Sequence, residues 1–342
     1  MRGFFSDFYV PAIVLMEFRL YIKISWFQQA IMGGWFMYYT GFADEAANDI
    51  AGQIRATKTL GWEFIESRRI DGVNIHDMPE ADFDKVCEAL AASGVKINCF
   101  GSEVANWQRD LFNEDDYYKS IEQLARAIRR MKRLGCDMIR GMSFKAKWAL
   151  PAFDPEVEKQ VFRKVRMLVR ICEDAGVYYM HENCNNYGGQ SPKHTLKLLE
   201  AIDSPNFKLV FDTGNPVMNY DRQNGDALEH MQNAWDFYSQ VRDFIAYVHI
   251  KDGVCTQPNP DGFGKTTYTF PGEGDGCVVR IVEDLIARGY DGGFSMEPHL
   301  KKVFHAAEAK SDEEQRFDIY VEYGRRFMKI VDTAIAKRDA AK

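Results

Sequence analysis

Five phrases recur along the chain: Leu60-Gly61-Trp62, Ser93-Gly94-Val95, Leu134-Gly135-Cys136, Ala175-Gly176-Val177 and Arg288-Gly289-Tyr290. Each closes an amphipathic stretch with a glycine and opens a short apolar run. A glycine just past a helix end supplies the left-handed backbone that stops the helix. The short apolar run after it has the length of a buried strand rather than of a second helix. The repeated order helix, glycine, strand therefore predicts parallel strands joined by crossover helices, an α/β fold.

The strands read as 38–43, 62–67, 96–101, 138–142, 177–183, 208–212, 245–251 and 293–297, with helices at 46–60, 81–93, 116–134, 155–175, 193–201, 227–241 and 277–288. Eight such units predict a closed (β/α)8 TIM barrel rather than an open sheet. An open dinucleotide-binding sheet would want G-x-G-x-x-G after its first strand, and none is there. The glycine-rich Gly272-Glu273-Gly274-Asp275-Gly276 comes late and reads as a barrel loop. An extra C-terminal helix is expected over 312–336, packed outside the barrel or at a subunit contact. The domain plan is an N-terminal extension, 1–36, followed by a catalytic domain, 37–342.

The extension is aromatic and apolar, but its run Tyr9–Met16 is too short to span a bilayer, and Glu17, Arg19 and Lys23 interrupt the residues after that run. It lacks the order of a signal peptide. An appended segment is expected, with Met32 or Met37 as the natural start, and no membrane association. The net charge of -7 over 342 residues disfavours nucleic acid as a partner. The seven cysteines stand singly, without a CxxC pair, which points to a reducing compartment and a cytoplasmic location.

In a barrel of this kind reactive groups lie at the C-terminal strand ends. Four consecutive strands end there in polar groups: Met180-His181-Glu182-Asn183, Phe211-Asp212-Thr213-Gly214-Asn215, Val248-His249-Ile250-Lys251-Asp252 and Ser295-Met296-Glu297-Pro298-His299. Carboxylates that converge repel one another, and a divalent cation is the simplest way to hold them. Three carboxylates and an imidazole make an oxygen-rich site, suited to Mn(II), with Mg(II) or Co(II) as alternatives, more than to structural zinc.

These motifs in this order, with the Gly272–Asp275 loop and the opening Gly41-Phe42-Ala43-Asp44-Glu45, resemble the xylose-isomerase-like TIM-barrel superfamily of sugar and sugar phosphate isomerases and epimerases. That superfamily includes ketose 3-epimerases and inosose dehydratases, and the resemblance runs from Tyr38 to the last helix. It implies Glu182, Asp212, His249 and Glu297 as metal ligands, and Glu182 and Glu297 as the acid/base pair. It further implies a small carbohydrate or cyclitol substrate and proton abstraction beside a carbonyl to give an enediolate that the metal stabilises. Return of the proton to the opposite face is epimerisation; return to the neighbouring carbon is isomerisation; loss of a hydroxyl instead is dehydration or elimination.

Further substrate contacts are expected from Lys251, His299, Glu66, Arg68, Trp107, Arg140 and Asn185, each with a plainer structural alternative. Lys251 shares the inward face of its strand with His249, and could hold a negative oxygen or pair with a carboxylate. Glu66, Arg68 and Arg140 could serve substrate or pair internally; Trp107 could stack on a sugar or cap the core; Asn185 could bind a hydroxyl or shape a turn. His181 should face away from Glu182 as a packed histidine. Phosphodiester cleavage on this barrel would need more converging histidines than His249 with His76 and His230 provide. A non-catalytic sugar-binding or partner-dependent barrel is the alternative of another class, and a homo-oligomer or partner subunit is left open.

Overall fold

A computed structural model describes residues 37–259, 264–300 and 311–341. The expected extension 1–36 lies outside the described residues. Eight parallel strands form the barrel: β1 Tyr38–Gly41, β2 Phe64–Ser67, β3 Lys96–Phe100, β4 Met138–Gly141, β5 Tyr178–Glu182, β6 Phe207–Asp212, β7 Ile245–Ile250 and β8 Gly293–Met296. Their order around the sheet is β1-β8-β7-β6-β5-β4-β3-β2, and a parallel bridge between Phe42 and Glu66 joins its two edges. Outside lie α1 Ile50–Thr59, α2 Glu80–Ser93, α3 Glu114–Leu134, α4 Pro155–Ala175, α5 Pro192–Ile202, α6 Ala234–Val241, α7 Val278–Ala287 and α8 Asp312–Ala340.

The punctuation read from the sequence is the punctuation used. Gly61, Gly94, Gly135, Gly176 and Gly289 all have φ between 67° and 78°. None would meet a neighbour with an added Cβ, so backbone conformation alone selects glycine there. Helix starts are set by side chains that take up free N–H groups: Asp154 caps α4 ahead of Pro155, and Ser191 caps α5 ahead of Pro192.

One expectation needs correction. The helix expected over 227–241 begins only at Ala234. The preceding stretch is irregular, fixed by a Tyr220–Met231 bridge and by Gln232 Nε2, which donates to the carbonyls of Gly189 and Tyr220. Between β7 and the glycine-rich loop, where the sequence reading assigned no element, the chain forms an antiparallel hairpin of Gly253–Gln257 with Lys265–Tyr268. Helix α8 packs against α1 and α7, outside the barrel as expected. Its Arg316 donates to the carbonyls of Asp44 and Glu45, and its Tyr323 hydroxyl to that of Ile250. The last helix thus braces the loop after β1 and the end of β7, both of which border the site.

The two-residue period of the strands builds the site in layers. Met180, Val210 and Tyr247 each stand two residues before Glu182, Asp212 and His249. With Cys99 they form one buried cluster, an apolar floor inside the barrel. The polar residues stand one step nearer the mouth.

Candidate active site at the barrel mouth

Glu182, Asp212, His249 and Glu297 come together at the C-terminal strand ends, each offering a ligand atom within 4.8 Å of the others. All are buried, and Asp212 and His249 have no exposed surface. Backbone and amide groups orient them. Asp212 Oδ1 accepts from the N–H groups of Gly214 and Asn215 at 2.8 and 2.7 Å. Asn215 Nδ2 donates to Glu182 Oε1 at 2.8 Å, and Asn183 ties β5 to β6 by bonding both the N–H and the carbonyl of Asp212. Gly214 and Asn215 hold Asp212, and Thr213 Oγ1 donates to the Lys251 carbonyl at 2.6 Å, which gives the motif after Asp212 a physical reason.

Cations surround the carboxylates. Lys251 Nζ lies 2.9 Å from Asp212 Oδ2 and 3.0 Å from Glu297 Oε2. Gly214 makes room for it, since a Cβ there would lie 2.7 Å from Lys251 Cγ. Arg140 reaches Glu182 Oε2 at 3.2 Å. Arg68 contacts Glu297 Oε1 at 2.9 Å and Asp44 Oδ2 at 2.9 Å. His299, in a left-handed conformation with φ 51°, bridges Glu45 and Glu297 at 3.0 and 3.3 Å.

Protonation follows from these contacts. Burial pushes the Glu182 carboxyl up, but Arg140 and His249 outweigh it and bring it down to about 2. At Glu297 burial is likewise overcome, by Lys251, His299 and Arg68, and the carboxyl sits well below its ordinary range. Asp212 goes the other way: burial, with Glu297 and Glu182 nearby, raises it to about 6 against the pull of Lys251. Burial opposes charge on His249, yet Glu66 and Glu182 raise it to about 10. Lys251 remains an ammonium, its burial outweighed by Asp212 and Glu297.

Three atoms of this cluster have no hydrogen-bond partner although they are fully buried: Glu182 Oε2, Asp212 Oδ2 and His249 Nδ1. The two oxygens lie at ion-pair distance from Arg140 and Lys251 without the alignment of a hydrogen bond. His249 Nδ1 stands 3.8 Å from Glu182 Oε1 and 3.9 Å from Asp212 Oδ2. Buried polar atoms without partners are costly, and a divalent cation would satisfy all three. The residues present fit one.

The other expected contacts divide. Lys251, Arg68, Arg140 and His299 all touch the cluster. Glu66 does not reach the mouth: it is fully buried beneath His249, with its oxygens 3.1 and 3.2 Å from Nε2 and one of them accepting from the Tyr247 hydroxyl. Its contacts are those of the internal pairing that the sequence reading offered as the alternative. Asn185 is taken up by loop structure, its Oδ1 accepting from Trp148 Nε1. Trp107 lies on the loop after β3 and is 38% exposed. His181 packs away from the cluster, its Nε2 3.0 Å from Ser143 Oγ.

Sequence reasoning gave no role to Asp252. Its carboxylate accepts from the N–H groups of Gly253, Gly272, Gly274 and Gly276. A Cβ at Gly274 or Gly276 would fall 2.5 or 2.8 Å from its Oδ1. The glycine-rich loop is thus wrapped around the residue next to Lys251. The signal was the pairing of an acidic residue at a strand end with a run of glycines twenty residues on.

The chain belongs to the xylose isomerase-like TIM barrel family, whose model matches residues 54–318. Solved structures that share the fold include an epimerase and a probable dehydratase. A D-allulose 3-epimerase from Methylomonas sp., in complex with D-allulose, is 17% identical with a TM-score of 0.62, covering 86% of this chain and 96% of that one. The probable 3-DHS dehydratase AsbF of Bacillus anthracis, involved in petrobactin synthesis, is 17% identical with a TM-score of 0.61, covering 85% and 99%. An uncharacterized protein of Methanocaldococcus jannaschii is 26% identical over 187 residues, 54% of each chain, so this chain spans about half the length of that curated relative. Among the described residues no helix is long and apolar enough to cross a membrane.

Proposed function

We propose that residues 37–342 form a divalent-metal-dependent epimerase or isomerase acting on a small sugar, sugar phosphate or cyclitol. The observation that carries this reading is the convergence of Glu182, Asp212, His249 and Glu297, with buried atoms that lack a hydrogen bond on three of the four. Bound there, a cation such as Mn(II) would polarise a carbonyl with its neighbouring hydroxyl and acidify the C–H between them.

The chain's own groups do the rest. Glu182 and Glu297 are held ionised by separate sets of cations, Arg140 with His249 for one and Lys251, His299 and Arg68 for the other. In that form each has a free lone pair to accept a proton from carbon and can return it, with its basicity lowered by the same cations. They sit on β5 and just past β8, on different sides of the cluster. Removal by one and return by the other inverts a carbon; return by the same carboxylate to the adjacent carbon moves the carbonyl. The Lys251 ammonium, fixed within the ring of carboxylates, can stabilise the enediolate oxygen as charge develops.

A dehydratase is the second reading, favoured by a dehydratase neighbour as similar in fold as the epimerase. The two start from the same proton abstraction. The test is solvent deuterium incorporation into a panel of ketoses, aldoses and keto-cyclitols, followed by NMR with and without Mn(II), for wild type and Glu297→Gln. Metal-dependent exchange at one carbon, lost in the variant, supports the enolising reading and identifies the reacting position. Loss of water from a keto substrate selects the dehydratase. Metal binding with neither reaction would favour the non-catalytic barrel.

A further inference from the structure

Beneath the cluster a chain of buried polar groups crosses the barrel interior. Thr40 Oγ1 donates to Asn98 Oδ1 at 2.9 Å, and Asn98 Nδ2 donates to the Tyr247 hydroxyl at 3.0 Å. The Tyr247 hydroxyl donates to Glu66 Oε2 at 3.0 Å, and both Glu66 oxygens lie within 3.2 Å of His249 Nε2. Glu66, Tyr247 and His249 are at most 1% exposed. An ionised carboxylate at that depth is expensive unless its partners are fixed.

Every link has a direction. A carboxylate only accepts, so the Tyr247 proton points at Glu66. The phenol oxygen is then free to accept, which orients the Asn98 amide and leaves Asn98 Oδ1 for Thr40. On the other side Glu66 accepts from His249 Nε2. That choice leaves Nδ1 as the ring atom facing Glu182 and Asp212, and Nδ1 is the atom without a partner. The surroundings hold the rings as well. Phe42 meets the His249 ring edge-on at 5.2 Å, and a Cβ at Gly293 would fall 2.5 Å from Tyr247 Cε2.

We propose that Glu66 is a positioning residue, backed by Tyr247 and Asn98, that fixes the tautomer and orientation of His249 and so sets the affinity of the site for its divalent cation. The inference rests on the metal-site reading above. A carboxylate behind a ligating imidazole holds the ring and makes its free nitrogen a stronger donor. The chain of donors behind Glu66 fixes that carboxylate in turn.

The test compares chelator-stripped wild type, Glu66→Gln and Tyr247→Phe. Mn(II) affinity is read by calorimetry, the visible spectrum after loading with Co(II) reports the ligand field, and melting temperature is measured on the same samples. Glu66→Gln keeps the volume and should weaken Mn(II) binding about tenfold or more, with a shifted Co(II) band. Tyr247→Phe leaves Glu66 and the ring in place and should act in the same direction, more weakly. Glu66→Asp, which restores the charge but retracts it, should fall between wild type and Glu66→Gln. Affinity within twofold of wild type and an unchanged Co(II) spectrum for Glu66→Gln, whatever the melting temperature, would overturn the proposal. Should Glu66→Gln not fold, Tyr247→Phe decides by the same two readouts. A wild type that binds neither ion removes the metal reading itself, an outcome distinct from a wild type that binds and a variant that does not care.

Discussion

If the proposed metal site is right, the placement of His249 between Glu66 and Glu182 makes metal binding a proton-releasing event. These two carboxylates raise the imidazole to about 10. At pH 8 an imidazole of that pKa is protonated in about 99% of molecules, whereas one at the ordinary value near 6.5 would be protonated in about 3%. A cation that takes His249 Nδ1 must displace this proton. Asp212, raised to about 6, is already ionised at pH 8 and adds nothing; Lys251 stays charged throughout.

Mn(II) binding at pH 8 should therefore release close to one proton per ion. Apparent affinity should rise about tenfold per pH unit between pH 7 and 8. Below pH 6 a further proton, from Asp212, should come off on binding. The assay is calorimetric titration of chelator-stripped protein in two buffers of different ionisation enthalpy, which yields the number of protons directly. Tight binding with release under about 0.2 proton at pH 8 would refute the reasoning, because it would mean that His249 is already neutral or is not a ligand.

Three other outcomes rest on particular contacts. Gly274→Ala would push a Cβ to 2.5 Å from both Asp252 Oδ1 and the Gly253 nitrogen; it should cost about 1–3 kcal/mol in chemical denaturation, since backbone and not a flexible side chain must yield. Arg222, 1% exposed, donates to the Leu150 carbonyl at 2.6 Å and to Gln190 Oε1 at 2.9 Å, tying loops after β4 and β5 to that after β6; Arg222→Leu should cost about 1.5–3 kcal/mol, read in the same way. His299 is raised from 6.5 to about 9 because Glu45 and Glu297 outweigh its burial; its contribution is complete below pH 6.5 and fades as pH climbs through 9, so the melting-temperature gap between wild type and His299→Gln, measured in chelator, should narrow from pH 6 to pH 9.

Much of this molecule was legible because its signals are local. A glycine after a helix, a two-residue period in a strand and a polar group at the strand's end are all read within a few positions. They located the strands and brought Glu182, Asp212, His249 and Glu297 to one end of the barrel. Side-chain destinations across the barrel were not legible. Glu66 could have served substrate or paired internally, and the sequence did not disclose its partners: Tyr247 and His249, 181 and 183 residues away. Arg222 carried no signal at all: a single arginine in an irregular loop does not disclose that its acceptors lie some 72 and 32 residues earlier. The false start of α6 has the same origin, since apolar spacing over 227–233 was overridden by the bonds Gln232 makes to distant carbonyls.

One strand shows why the site is both constrained and adaptable. Along β7 and its end, Tyr247, His249 and Lys251 face inward at successive steps of two, giving in turn the floor, the imidazole of the four-residue cluster and a fixed ammonium. The steps nearest the mouth are backed by different elements: Glu66 of β2 behind His249, Thr213 and Gly214 beside Lys251, with the glycine loop wrapped around the adjoining Asp252. The geometry of the cluster is thus set by strands and by a chain of buried donors, which tolerate little change. The cations that govern the basicity of the two carboxylates come from elsewhere: Arg68 from just past β2, Arg140 from β4 and His299 from the loop after β8. On the proposed reading, substitution at those positions would alter the basicity of Glu182 and Glu297 while leaving the four converging side chains on their strands, so the choice of which carboxylate takes and which returns a proton would lie with Arg68, Arg140 and His299.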